Sequence, residues 1–223
     1  MSWLELPDGS RMEVFGAGGG NEVRSSMFLA ELRNRFEYHA ADEQTGSLHD
    51  DVRAACRDLA LRLGATGLES DVWLTADGVA VLDHDGKVKA GLRSRPIAGL
   101  DRSSLPAHVP TLEDLYAECG TGFELSLDVK DPAAAATVAA VARAAGGGAP
   151  ERLWLCHPDW ELLAEWRKDL DDVRLVNSTK MREMRKGPER RAAQLSAAGI
   201  DTVNLHYEEW TGGLTTLFHR FGV

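Results

Sequence analysis

The chain has 223 residues, 43% of them hydrophobic, with 22 Gly and 8 Pro, which is typical of one globular domain with a sizeable core. Its formal net charge of −10 argues against nucleic acid or an anionic membrane as the main partner. Three widely spaced cysteines, without the spacing of a zinc site or a disulfide framework, favour a reducing, cytoplasmic location. No stretch approaches the roughly 20 apolar residues that a membrane span needs.

The first fifty residues carry few structural signals. A glycine-rich run over 16–20 predicts a flexible connection rather than a phosphate-binding loop, because no Lys-Ser/Thr pair follows it. Residues 36–39, Phe-Glu-Tyr-His, are the one short run placed to form a first strand of the domain. We therefore predict a poorly defined segment over 1–35 and one domain over 36–223.

From residue 50 onward, short β-rich runs alternate with amphipathic helical ones. A helix is predicted over 50–63, followed by strands over 68–75 and 79–84. Their connection is too short for a parallel crossover, so they should form an antiparallel hairpin. The Thr111–Asp114 spacing predicts a capped helix start. The remaining predicted strands cover 123–129, 152–156, 173–177 and 202–205, and the remaining helices cover 132–145, 159–170, 188–198 and 214–221.

This alternation predicts an α/β fold with a parallel sheet covered by helices. Neither a dinucleotide-binding glycine pattern nor a P-loop follows any strand, which favours a (β/α)8 TIM-type barrel over an open doubly wound sheet. Only about six of the eight barrel strands can be counted. We therefore expect an incomplete barrel that reads as a truncated chain, and its open sheet edges favour pairing with a second copy.

Carboxylates are concentrated in the predicted hairpin, 67–86, which holds five acidic side chains and a histidine. Glu69 and Asp71 are two apart on a strand and therefore share a face, where they could hold one hard divalent cation, Ca²⁺ or Mg²⁺. An edge strand with solvated acids would have the same spacing. The return strand brings His84 back near these acids, where it could act as a general acid or base. A hydrogen-bonded structural histidine is the alternative.

The hairpin resembles that of the glycerophosphodiester phosphodiesterases. Their pattern runs from an acidic pair on a strand, through a Thr-x-Asp-Gly turn, to a strand that ends in His-Asp. The corresponding residues here are Glu69-Ser-Asp71, Thr75-Ala-Asp77-Gly78 and His84-Asp85. The similarity continues through 110–113, 125–130, 174–176, 199–204 and 217–219, and covers about residues 50 to 223.

This resemblance implies a metal-dependent phosphodiester hydrolase of lipid metabolism. It would cleave a small-molecule glycerophosphodiester to an alcohol and glycerol 3-phosphate. The metal ligands would be Glu69, Asp71 and Asp128, with Asp128 standing where the family commonly has glutamate. Lys130 would pair with phosphate oxygens, and His84 would transfer a proton.

The sequence departs from the family at its second histidine, which ends the family's first strand as His-Arg-Gly. That motif is absent, and so is the Pro-Glu-Asn-Thr helix start that follows it in the family. His39 stands at about the right distance upstream and is the candidate catalytic partner, with His49 as a second candidate. Asp50 or Asp51 could replace a missing acidic ligand. If neither histidine serves, the chain is a non-catalytic or truncated relative that keeps only the acidic metal pocket.

Overall fold

A computed structural model describes residues 2–5, 11–14, 61, 66–90 and 93–223 of the chain. Strands β1 (Ser2–Glu5) and β2 (Arg11–Val14) form an antiparallel pair that the sequence did not predict. The predicted first strand over 36–39 and the proposed domain start at residue 36 lie outside the described residues and stay predictions. The same holds for the helix over 50–63, except that Leu61 is helical.

The central element is a six-stranded sheet, accompanied by a separate two-stranded hairpin. The chain forms β3 and β4, then the separate antiparallel pair β5 and β6, and then the four remaining strands of the sheet. Their bounds are β3 (Gly67–Leu74), β4 (Ala80–Leu82), β5 (Lys87–Ala90), β6 (Arg93–Pro96), β7 (Glu124–Val129), β8 (Leu153–His157), β9 (Arg174–Ser178) and β10 (Thr202–Asn204).

Strand order identifies the architecture as barrel-type. The strands β3, β7, β8, β9 and β10 are parallel and lie side by side in chain order, whereas a doubly wound sheet reverses its order at a switch point. Right-handed crossovers that all progress in one direction place their helices on one face of the sheet. The predicted α/β barrel fold is thereby confirmed, and the barrel is not closed within the part of the chain that the structure describes.

Over residues 93–223, the parallel strands are accompanied by five α-helices: α1 (Leu112–Cys119), α2 (Ala134–Ala145), α3 (Trp160–Trp166), α4 (Pro188–Ala197) and α5 (Gly212–Arg220). The third is shorter than predicted from the sequence. The Arg167 guanidinium donates to the carbonyls of Leu170 and Val173, which stabilises a turn where the sequence pattern predicts further helix. None of the described helices is both long and apolar enough to cross a bilayer.

The two faces of the sheet differ in chemistry. On β7, Leu125, Leu127 and Val129 are buried in the main core, while Ser126 and Asp128 alternate with them on the opposite face. A second, smaller cluster is contributed mostly by the segment that follows β4, and Trp73 of β3 packs against it. This small cluster consists of Val81, Val88, Ile97, Leu100, Leu105 and Val109.

The predicted cap of α1 is present in full. Thr111 Oγ1 accepts a hydrogen bond from the Asp114 amide at 3.0 Å, and Asp114 Oδ2 accepts one from the Thr111 amide at 2.9 Å. We expect Thr111→Ala to lower the free energy of unfolding by about 1 kcal/mol, measured by urea denaturation, because the amide of Asp114 loses its partner. Thr216→Ala, on the exposed side of α5, is the control. An equal loss in both variants would contradict the prediction.

Candidate active site

Three carboxylates meet where β3 and β7 pair, on the face of the sheet opposite the main core. Glu69 and Asp71 share one face of β3, and the parallel register pairs Asp71 with Asp128 on the neighbouring strand. Each of the three residues offers a carboxylate oxygen, and these oxygens lie within 4.8 Å of one another. These three residues form the acidic cluster. Strand alternation places Glu69 and Asp71 together, and the sheet register adds Asp128.

Lys130 joins the acidic cluster from the residue after β7. Its Nζ lies 3.2 Å from Asp71 Oδ1 and 3.1 Å from Asp128 Oδ2. Burial of Asp71, which is 6% exposed, raises the pKa of its carboxyl, and the ion pair with Lys130 offsets part of that rise. Burial alone would lower the pKa of Lys130, but Asp128 and Asp71 outweigh it and raise that pKa. Lys130 is therefore held in its charged form.

The charges of this group do not balance. Three carboxylates and one ammonium leave two excess negative charges when all are ionised, which is the charge that one divalent cation neutralises. Oxygen-only donors suit a hard cation such as Ca²⁺ or Mg²⁺. The arrangement can therefore hold a divalent cation next to a fixed ammonium group.

His84 lies on the turn that follows β4. Its Nδ1 is 2.8 Å from Asp85 Oδ1, and the side chain is about 60% exposed, which leaves Nε2 for proton exchange. The turn is joined to β3 by a hydrogen bond from the Asp83 amide to the Asp71 carbonyl at 3.2 Å.

The other acids of the hairpin have structural partners. Asp77 Oδ1 accepts hydrogen bonds from Thr75 Oγ1 at 2.5 Å and from the Arg102 amide at 2.9 Å, and these bonds lower the pKa of the Asp77 carboxyl. The Thr-x-Asp-Gly turn thus fixes the connection between β3 and β4. Of the five acids in this stretch, only Glu69 and Asp71 belong to the acidic cluster.

Two residues beside the acidic cluster were missed by sequence reasoning. Ser126 is paired in register with Glu69, Cys156 is paired with Asp128, and their Oγ and Sγ atoms are 3.4 Å apart. Alternation on β7 places Ser126 on the face of Asp128, a signal that was available from the sequence. Burial raises the pKa of the Cys156 thiol to about 12, so without a bound metal ion it stays protonated.

The predicted catalytic partner His39 lies outside the described residues, as do His49, Asp50 and Asp51. The predicted metal and phosphate residues do come together: Glu69, Asp71, Asp128 and Lys130 form one contiguous group. Their roles as ligands and catalysts remain proposals.

Comparison with known proteins finds solved structures of similar fold. No family model matches the sequence, and no curated protein matches it. A Silicibacter pomeroyi protein assigned as a glycerophosphoryl diester phosphodiesterase has a TM-score of 0.63 and 22% identity, over 74% of this chain and 73% of its own. The glycerophosphodiester phosphodiesterase of Thermotoga maritima gives 0.58 and 18%, over 84% and 79%.

A third similar structure contains a ligand. An Oleispira antarctica phosphodiesterase, solved in complex with the product sn-glycerol-3-phosphate, has a TM-score of 0.62 and 16% identity, over 76% of this chain and 74% of its own. At these identities the likeness demonstrates a common fold.

Proposed function

We propose that this chain, which has the fold of glycerophosphodiester phosphodiesterases, is a metal-dependent hydrolase that cleaves glycerophosphodiesters to an alcohol and glycerol 3-phosphate. One observation carries the proposal. Three carboxylates and a lysine from two adjacent strands converge on one face of the sheet, and Asp128 and Lys130 lie at the carboxyl end of β7, the end at which barrel enzymes have their active sites.

The acidic cluster fits a divalent cation. Its donors are all oxygens, its excess charge is −2 when ionised, and Asp71 is a buried acid whose ionised form a bound cation would stabilise. Glu69, Asp71 and Asp128 would hold Ca²⁺ or Mg²⁺. When bound, the cation supplies positive charge against the phosphate oxygens.

Lys130 and His84 have separate roles in this scheme. A phosphodiester carries one negative charge and gains more in the transition state, so the Lys130 ammonium stabilises that state more than the ground state. His84 exchanges a proton through Nε2, while Asp85 holds its Nδ1 side. His39 is the proposed second proton-transfer residue, and His49 is the alternative.

The setting of this activity follows from the sequence. We propose a small-molecule substrate from lipid metabolism and a cytoplasmic location, on the basis of the family resemblance and the cysteine pattern. Among the described residues β10 is an edge strand, and pairing of this edge with a second copy would give a homo-oligomer. Light scattering tests this, and a clean monomer would count against it.

The deciding experiment measures hydrolysis of glycerophosphocholine by chelator-treated protein, with and without added Mg²⁺ or Ca²⁺. We expect turnover only with added cation, and a loss of about 10²- to 10⁴-fold in His84→Ala. His219→Ala removes another exposed histidine, on helix α5 and away from the acidic cluster, and is expected to retain full activity.

Other outcomes would reject the enzyme proposal. A folded wild-type protein that binds cation without turnover would be a non-catalytic relative that keeps only the acidic pocket. Turnover that survives chelation would contradict the role of Glu69, Asp71 and Asp128 as metal ligands.

A further inference from the structure

We propose that Trp73 is a positioning residue for His84: it holds the turn over 83–86, which is hydrogen-bonded to the Asp71 carbonyl, and so fixes where the imidazole stands. The inference rests on the proposed function, since it assigns Trp73 a part in that reaction. Trp73 would act through His84 and not on the substrate.

Trp73 lies between the acidic cluster and the small cluster. By strand alternation it shares a face of β3 with Glu69 and Asp71, and it is directly paired with Val81 of β4. Its ring packs against the small cluster. The indole is thus placed between β3 and the segment that carries His84.

The turn itself is fastened to the indole. Trp73 Nε1 donates a hydrogen bond to the carbonyl of Asp83 at 2.8 Å. The Asp83 carboxylate accepts the amides of Asp85 and Gly86 at 3.0 and 2.7 Å, which closes the turn around His84. The Trp73 side chain on β3 therefore fixes Asp83, the residue before His84. Asp83 in turn fixes Asp85 and Gly86, the two residues after His84.

Gly86 completes the contact from the other side. Its φ of +64° is in the left-handed region, and a Cβ there would collide with the six-membered ring of Trp73. Its carbonyl accepts the Ile97 amide at 2.9 Å, which ties the turn to the small cluster. The turn is therefore held by contacts at both ends, while the His84 side chain is exposed and its Nδ1 pairs with Asp85.

A fixed turn that carries an exposed side chain is what a proton-transfer histidine on a loop requires. An exposed histidine on a loose turn samples many positions, and small misplacements of a catalytic group cost large factors in rate. A purely structural tryptophan would affect stability without specific coupling to His84. The two explanations predict different kinetics.

Trp73→Phe tests the inference, because it keeps an aromatic ring and removes the donor to Asp83. We expect kcat for glycerophosphocholine to fall about tenfold with KM and cation affinity unchanged within about twofold, since a misplaced base slows chemistry but not binding. Trp166→Phe, which makes the same substitution where the ring contacts His157, is expected to keep the wild-type kcat. A wild-type kcat in Trp73→Phe would overturn the inference.

A double-mutant cycle separates positioning from packing. If Trp73 acts through His84, Trp73→Phe should leave the residual kcat of His84→Ala unchanged. The same tenfold loss in both backgrounds would overturn the inference. If Trp73→Phe does not fold, Asp83→Ala opens the same turn by removing the carboxylate that accepts the Asp85 and Gly86 amides. Its loss of kcat should likewise disappear in the His84→Ala background. If Asp83→Ala still lowered kcat tenfold in the His84→Ala background, the positioning role would be refuted.

A readout without turnover keeps this inference separate from the proposed function. In metal-free protein, the His84 Hε1 NMR signal should be single and sharp in the wild type and in Trp166→Phe. It should broaden and move toward the free-imidazole position in Trp73→Phe. An unchanged signal would overturn the positioning role, whereas a wild-type protein without turnover would overturn the proposed function alone.

Discussion

Asp71→Asn is expected to lower the affinity for Mg²⁺ or Ca²⁺ by at least about 100-fold, since changes to outer-shell partners of metal ligands alone cost 10- to 100-fold. Asp71 is the buried member of the acidic cluster and is paired in register with Asp128. The amide keeps the shape of the side chain but removes a charge and weakens the remaining oxygen as a ligand.

Thermal denaturation with a series of cation concentrations measures this effect. A bound cation stabilises the folded state by an amount that grows with the logarithm of its concentration over Kd, so wild-type Tm should climb with added Mg²⁺ or Ca²⁺, while the same rise in Asp71→Asn should need at least about 100-fold more cation. Without cation, the variant should melt no lower than wild type, because it no longer buries a charged carboxylate among other acids.

The control for Asp71→Asn removes a different paired aspartate. Asp172 forms an ion pair with Arg143 at 2.6 Å, on the helix side of the sheet, and Asp172→Asn should keep the full response to cation. If Asp71→Asn kept the wild-type response, Asp71 would not be a ligand, and the metal assignment would fail.

Lys130→Met should have the opposite effect on cation binding. Its ammonium lies between Asp71 and Asp128, so removing it removes a competing positive charge, and cation affinity should stay the same or increase. Turnover should nevertheless fall by about 10²- to 10³-fold, the usual cost of losing one charge-stabilising group in the transition state.

Cation titration and steady-state kinetics on one preparation of Lys130→Met separate these effects. Lys168→Met removes an exposed lysine paired with Glu165 and should change neither quantity. A parallel loss of cation affinity and turnover would mean that Lys130 organises the acidic cluster. Unchanged turnover would exclude a role in transition-state stabilisation.

The sequence by itself determined the local structure around the site. A strand period of two fixed Glu69 and Asp71 on one face, and the short connection to β4 fixed the antiparallel hairpin. The spacing of Thr111 and Asp114 fixed the cap of α1. These features depend on residues close together in the chain, so local periodicity and turn chemistry are enough to define them.

Tertiary structure decided which of the acids act together. The pairing of Asp71 with Asp128, the placement of Lys130 between them and the use of Asp77 and Asp83 in turns all depend on strand register and packing. Register is set by the burial of side chains from distant strands against the helices. No local pattern records that burial, so the sequence could nominate the members of the acidic cluster but could not bring them together.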